Sequence, residues 1–401
     1  MNIIGIIAEY NPLHLGHLYQ IKKAKEMYPN SIIILITNSY FSQRGEVNII
    51  NKWDKARLAL DNNIDLIIEL PFVYATQGAD IFAKGALKIL NTLKIDTLIF
   101  GSESNNIEKL KEIAKTQLYN KEYNKLVKIY LDKGINYPTA LSKALEEILG
   151  YTIKEPNDLL GISYIKEILG NNYNINPVSI KRTNNYHDKE IKNKIINASL
   201  LRNMILNNEN ITNYVPKDVN NKIYHNLSNE SFYKFLKYQI LTTKDLSIYQ
   251  TVDEGIENRI KKVIKESKNW NELVNNIKTK RYTYNKINRM LIHILTNFTK
   301  EEAANINIDY IRIIGFNSKG KKYLNIIKKD ISIPFITTYK PNISKILDIE
   351  SRVSSIYSLA LNNDISKQEY KNSPIIKKWL QSHFYYTSKY HSITTINSNF
   401  K

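Results

Sequence analysis

The sequence contains no cysteine, which rules out disulfides, thiolate metal sites and cysteine nucleophiles. Acidic residues are scarce beside basic ones: 38 Asp and Glu stand against 57 Lys and Arg, a formal charge of +19. Such an excess favours a polyanionic partner such as nucleic acid. The crowding of Lys, Asn, Ile and Tyr is equally what an A+T-rich codon bias would produce. Long apolar runs are missing, so no bilayer-spanning helix is expected. The opening MNIIGIIAEYNPLH has no basic stretch ahead of its apolar residues and soon turns polar, unlike a signal peptide. These absences predict a soluble, cytoplasmic protein with no membrane partner. No internal repeat or long low-complexity tract stands out, and 401 residues suffice for two domains with separate cores.

What is present first is an alternation. Ile3 to Ala8, Ile32 to Ile36, Asp65 to Leu70 and Thr97 to Phe100 are short unbroken apolar runs, the pattern of parallel strands covered on both faces. Between them Leu15 to Met27, Lys52 to Asn62 and Gly78 to Leu93 read as helices. Strand and helix in turn predict a doubly wound α/β fold. One further helical stretch runs from Ile107 to Leu149, a helix opens at Pro156, a fifth strand lies around Val178 to Lys181, and a helix starts near Ala198. Past residue 210 strand-like runs become scarce. The expectation is an α/β catalytic domain over 1–210 and a mostly helical, basic domain over 211–401, divided within the Asn-rich segment 207–222. Residues 392–401 read as a frayed tail.

The strongest motif is GIIAEYNPLHLGHLYQIKKAK, residues 5–25. A strand ends at Ala8, a polar turn follows at Tyr10, Asn11 and Pro12, and a helix begins near Leu15. In an open α/β sheet ligands bind at this carboxyl edge. His14 and His17 are three apart and can face one way at the helix start, where unpaired N–H groups and the positive dipole end suit phosphate. Gly16 lets a nucleotide approach the backbone. Two imidazole donors there can stabilise charge building on departing pyrophosphate. Surface histidines or a metal site are the alternatives, but no third ligand lies nearby, and the glycine suits phosphate better.

This segment resembles the HxGH signature of the nucleotidyltransferase superfamily. QRGE at Gln43 to Glu46, DKARLAL at Asp54 to Leu60, DLIIELPFVYATQGADIFAKGAL at Asp65 to Leu87, FGSE at Phe100 to Glu103 and PNDLLGISYIK at Pro156 to Lys166 narrow the likeness. KTKRYTYNKINRMLIHIL at Lys278 to Leu295 and YIRIIGFNSKGKKYL at Tyr310 to Leu324 extend it. Together, across nearly the whole chain, they resemble the bacterial tRNA(Met) cytidine acetate ligase family. KRTNNYHD at Lys181 to Asp188 and NASLLR at Asn197 to Arg202 depart from its pattern.

The resemblance implies that ATP, carrying Mg²⁺, activates acetate to acetyl-adenylate without coenzyme A. The acetyl group then passes to N4 of the wobble cytidine in the anticodon loop of elongator tRNA(Met). It implies an ATP site formed by Ile7, Ala8, Glu9, Tyr10, Asn11, Pro12, Gly16 and Gln20, with catalytic His14 and His17 on the phosphates. Gly101, Asn157, Arg182, Ser199 and Arg202 would complete that site; plain capping or a solvated surface is the ordinary alternative for the last four. Arg44, Glu46 and Glu103 are candidates for an acetate or amine site. Residues 258–293 carry ten basic and two acidic side chains. Within them Lys278, Lys280, Arg281, Lys286 and Arg289 interleave with Tyr282 and Tyr284. Cations neutralise phosphates and tyrosines stack on unpaired bases, so these seven are candidate tRNA contacts. A small-molecule adenylyltransferase or pantothenate-synthetase-like ligase would leave that basic stretch without a task. A catalytically inactive RNA-binding protein would leave the histidine pair without one.

Overall fold

The apolar runs of the first half become five parallel strands: β1 (Ile3–Ile7), β2 (Ile32–Asn38), β3 (Leu66–Leu70), β4 (Thr97–Ser102) and β5 (Asn176–Lys181). This computed structural model describes residues 1–182, 195–361 and 364–377. The strands lie in the order β5-β4-β1-β2-β3. Successive side chains on a strand point to opposite faces, and here both faces are buried. Ile32, Ile34 and Ile36 enter one core, while Ile33 and Leu35 enter the other. That double burial is why the runs read as unbroken rather than alternating.

Helices α1 (Leu15–Met27), α2 (Lys52–Asp61) and α9 (Ala198–Leu206) cover one face. After the short turn α3 (Phe72–Ala75), helices α4 (Ala79–Thr92), α5 (Ile107–Tyr119) and α8 (Pro156–Gly170) cover the other. The helical stretch expected from Ile107 to Leu149 consists of three helices: α5, α6 (Lys121–Asp132) and α7 (Tyr137–Leu149). Each break carries a helix start. Asn120 accepts from the Tyr123 N–H, and Asn136 accepts from the Thr139 N–H with Pro138 in the first turn, both strong N-terminal signals.

The second half supplies α10 (Tyr233–Thr242), α11 (Ile256–Val263), α12 (Trp270–Ile277), α13 (Tyr284–Leu295), α14 (Lys300–Ala304), α15 (Ser318–Ile327), α16 (Lys345–Ser358) and α17 (Gln368–Lys371). It also returns to the sheet. β6 (Ile311–Asn317) pairs antiparallel with β3, and β7 (Phe335–Ile336) and β8 (Ile375–Lys377) pair with β6. The sheet thus crosses the boundary expected near 207–222. The run IRIIGF is short and apolar, and periodicity alone does not separate such a strand from a buried helix turn. The Asp188 end of KRTNNYHD and the tail at 392–401 lie outside the described residues.

Between the halves sits a buried charge cluster. Lys52 Nζ lies 2.6 Å from Glu69 and 2.6 Å from Glu369, and Arg312 Nη1 lies 2.6 Å from Glu369. All four residues are at most 2% exposed. Glu350 beside them accepts from the Phe72 N–H at 2.7 Å. Burial, reinforced by Glu69, pushes its carboxyl up to about 8 and favours its protonated form, beside the two cations and two carboxylates. No helix among the described residues is long and apolar enough to cross a membrane.

Candidate active site

β1 lies between β4 and β2, and the winding reverses there: the chain passes from β1 outward to β3, then back to β4 and β5 on the other side. A crevice therefore opens at the carboxyl ends of β1 and β4. A cleft of about 500 Å³ occupies it. Ile7, Ala8, Glu9, Tyr10, Asn11, His14, His17, Gln20, Gly101, Asn157, Arg182, Ser199 and Arg202 all line it. Pro12 and Gly16 do not; Pro12 is buried beneath the turn, and Gly16 lines a small adjoining pocket with both histidines.

His14 caps α1. Its Nδ1 accepts from the Gly16 N–H (3.0 Å), while His17 Nδ1 accepts from the His14 N–H (3.2 Å). The rings stack with centroids 3.8 Å apart. A Cβ on Gly16 would lie 2.8 Å from His14 Cε1, so the glycine makes room for the folded-back imidazole as well as for a ligand. Because each Nδ1 uses its lone pair, the proton is assigned to Nε2 on both rings. Burial, with Arg182 and Arg202 nearby, lowers His14 to about 3. Burial, His14 and Arg182 hold His17 well below the ordinary value. The result is two neutral imidazoles, each with an Nε2–H available to donate.

The cleft walls carry four guanidinium groups, from Arg44, Arg182, Arg202 and Arg289. Burial lowers the pKa of Arg44 and Arg182, yet guanidinium remains charged. The carboxylates beside them are engaged. Glu9 accepts from Asn38 Nδ2 (3.0 Å) and the Gln43 N–H (2.6 Å), and burial raises its pKa. Behind it, buried Lys55 donates to Asn38 Oδ1 (2.8 Å) and is lowered by burial to about 7. Glu46 pairs with Arg202. Glu103 lies 3.5 Å from Arg182 Nε and accepts from the Asp158 N–H (3.2 Å) and from Asn157 Nδ2. In return Asp158 accepts from the Glu103 and Ser104 N–H groups (3.1 and 2.9 Å) and from Ser102 Oγ. Glu103 thus caps α8 and fixes it to the end of β4.

Several expected ligands spend their polar atoms on the scaffold. The Asn11 side chain donates to the Val47 carbonyl (3.1 Å) and accepts from the Ile49 N–H (2.9 Å). Gln20 donates to the Ile99 carbonyl (3.2 Å). Gly101, next to last in β4, is open to the cleft, where a Cβ would meet nothing nearer than Arg182 Cγ at 3.4 Å. Arg202 donates to the Asn11 carbonyl (2.9 Å) and Ser199 Oγ (3.2 Å).

The seven basic-segment residues separate. Arg289 is not on an outer basic face: it lines the cleft with Thr283 and Asn285 and donates to the Gln43 carbonyl at 3.1 Å. Burial lowers it to about 10. Gly45, at φ +73°, lets the loop pack against the α13 backbone, since a Cβ there would lie 2.4 Å from the Arg289 backbone nitrogen. Tyr282 is 4% exposed, with its hydroxyl donating to the Asp253 carbonyl. Its ring therefore packs inside and does not offer the base-stacking face expected of it. Tyr284 is 52% exposed, with Lys278 Nζ 5.4 Å above its ring. Lys286 lies over the Tyr282 ring, Arg281 lies 3.5 Å from Glu254, and the Lys280 carbonyl accepts from Asn136. The place of Arg289 in the cleft, and of Lys55 and Asn38 behind Glu9, was not recognised from sequence; the link between Arg289 and Gln43 spans 246 positions.

Neutral imidazoles on a helix N-terminus, at the switch point of a parallel sheet and among guanidinium groups, define an adenylyl-transfer site of the nucleotidyltransferase kind. Residues 1–373 match the HIGH Nucleotidyl Transferase family. The tRNA(Met) cytidine acetate ligase of Clostridium novyi (strain NT) is 38% identical over 94% of this chain and 100% of its own length. That of Bacillus subtilis (strain 168) is 34% identical over 96% and 99%. Thermotoga maritima TmcAL superposes with TM-scores of 0.86 (apo) and 0.84 (bound with alpha-thio ATP), at 27% and 26% identity over 94% of this chain and 100% of that one. The chain belongs to the HIGH nucleotidyl transferase family and, within it, to the tRNA(Met) cytidine acetate ligases.

Proposed function

We propose that this protein activates acetate with ATP and transfers the acetyl group to N4 of the wobble cytidine of elongator tRNA(Met). An acetate oxygen attacks the α-phosphorus, a P–O bond forms, and the bond to pyrophosphate breaks. The His14 and His17 Nε2–H groups donate to the departing phosphates as their charge develops. The cytidine amine then attacks the acetyl carbon. A C–N bond forms, the bond to AMP breaks, and one amine proton leaves. Arg182, Arg202 and Arg44 hold phosphate and carboxylate charge, and Glu46 lies beside the incoming amine. The cleft carboxylates are engaged by the partners described above, so Mg²⁺ would be held by the ATP phosphates and would offset their charge.

The observation that carries this reading is the pair of neutral, Nδ1-accepting histidines in a cleft with four guanidinium groups. Residues 1–210 would hold the nucleotide, and 211–401 would hold the tRNA through Lys278, Lys280, Arg281, Lys286 and Tyr284. The test is nucleoside mass spectrometry on tRNA incubated with the protein, ATP, Mg²⁺ and isotope-labelled acetate, beside a pyrophosphate assay. Labelled N4-acetylcytidine and stoichiometric pyrophosphate are expected. Label that transfers only from acetyl-coenzyme A would overturn the proposal.

A further inference from the structure

A second cavity, of about 280 Å³, shares a wall with the nucleotide cleft. Glu46, Ser199 and Arg202 line both spaces, so the two adjoin at the Glu46–Arg202 ion pair. Several amides line this cavity among apolar side chains such as Val47 and Leu227. Asn203 stands on α9, Asn271 opens α12 and Asn288 lies on α13. Asn288 Oδ1 accepts from Trp270 Nε1 (2.9 Å), and Glu230 Oε2 accepts from the Trp270 N–H (2.8 Å). Among the described residues, no hydrogen bond engages Asn288 Nδ2, Glu230 Oε1 or the side chains of Asn203 and Asn271. The cavity therefore offers donors and acceptors together, and one of its two carboxylates is already paired with Arg202.

That chemistry does not suit a phosphate, which wants donors and positive charge. It suits the edge of a planar heterocycle, which presents donors and acceptors side by side. Position supports the same conclusion. Helix α13 straddles the two spaces: Asn288 lines the second cavity, while Asn285 and Arg289 line the nucleotide cleft. Unpaired loop bases can be splayed out at little cost.

We propose that this second cavity seats the acceptor base by its hydrogen-bonding edge, with the exocyclic amine reaching the nucleotide cleft beside the Glu46–Arg202 pair. The inference rests on the acyl-transfer reading above and adds where the acceptor enters. Backbone phosphates lie outside, on the basic segment; the base alone occupies the cavity.

The test is an Asn203→Leu/Asn271→Leu double variant. Both side chains are exposed, so the fold should be kept. Three measurements are made on the full-length protein: acetate-dependent ATP–pyrophosphate exchange, single-turnover acetylation of tRNA, and competition between anticodon stem-loops carrying C or U at the acceptor position. Exchange is expected within about twofold of wild type, because neither asparagine lines the nucleotide cleft. Acetylation should fall by about tenfold or more, and the preference for C over U should shrink by a similar factor, the scale of losing hydrogen bonds to a base edge. The Asn203→Gln/Asn271→Gln variant should regain most of both. Unchanged acetylation and preference would overturn the proposal. So would a collapse of exchange together with acetylation, which would assign the cavity to the nucleotide site. A wild-type protein that forms acetyl-adenylate yet never acetylates tRNA would sink the acyl-transfer reading itself, a result independent of either variant.

Discussion

Replacing His14 by Asn separates its titration from its role as a helix cap. Asparagine is a good N-cap and keeps a side-chain acceptor for the Gly16 N–H, but it does not ionise. In the folded wild type His14 is lowered to about 3, chiefly by burial, against about 6.5 in an unfolded chain. A base with a depressed folded pKa is fully compatible with folding above 6.5. As pH falls below 6.5 the unfolded state takes up a proton that the folded state refuses, and stability is lost until the folded pKa is reached. Between pH 7 and pH 5 this one group should cost the wild type about 2 kcal/mol. His293 and Glu350 also shift with pH, but they are common to both proteins and cancel in the difference; His17, which His14 helps to hold down, titrates higher in the variant and widens the gap. The assay is urea unfolding at pH 7, 6 and 5, followed by fluorescence of Trp53 and Trp270, which are 1% and 2% exposed. Wild type minus His14→Asn should become less favourable by about 2 kcal/mol over that range. A flat difference would mean that His14 is not held neutral, and the assignment of its proton to Nε2 would fail with it.

His17→Ala should slow adenylate formation by roughly 100-fold, the usual loss for one preorganised donor. ATP affinity should change less, since pyrophosphate charge develops mainly in the transition state; unaltered ATP–pyrophosphate exchange would remove His17 from this role. Changing Lys280, Arg281 and Lys286 together to Ala should weaken tRNA binding and flatten its salt dependence by about 0.7–0.9 in log–log slope per lost phosphate contact. Adenylate formation should persist; an unchanged slope in a filter-binding salt series would leave these residues as solvated charge. Arg289 stays out of that variant because it lines the nucleotide cleft.

The nucleotide turn was legible because its chemistry is local. Strand, turn, cap and helix lie within residues 3–27, and His14 and His17 meet through bonds spanning two or three positions. Glu103 was half legible. Its sequence position placed it at the active edge, but capping and a direct role looked alike until Asp158 and Asn157 were seen to bind it. Tyr282 and Tyr284 differ by two positions in one basic segment, and only packing against Asp253 and Glu254 decides which ring is buried. The three-way division of 107–149 was written in Asn120, Asn136 and Pro138 and went unread because apolar spacing continued across the breaks.

The buried charges explain why a boundary near 210 describes chemistry better than folding. Glu69 sits inside the apolar run DLIIEL and Lys52 opens a helix, and neither has a buried partner that local sequence reveals. Removing one member of a buried ion pair leaves a charge whose desolvation costs several kcal/mol. Here the pair from the first half is closed by Arg312 on β6 and Glu369 on α17. The same β6 covers the edge of β3, which would otherwise present unpaired N–H and C=O groups. The nucleotide motifs are thus concentrated before residue 210, while the sheet that carries them is completed by residues beyond 310. The Gln43–Glu46 loop gains a further tether from Arg289 on the intervening helix α13. A fragment ending at 210 would keep every HxGH residue and still lose the edge strand, the charge partners and one cleft guanidinium. The basic-segment variant therefore tests by point substitution a separation of nucleotide chemistry from RNA recognition that cutting the chain could not test, because the two halves share one sheet and one charge cluster.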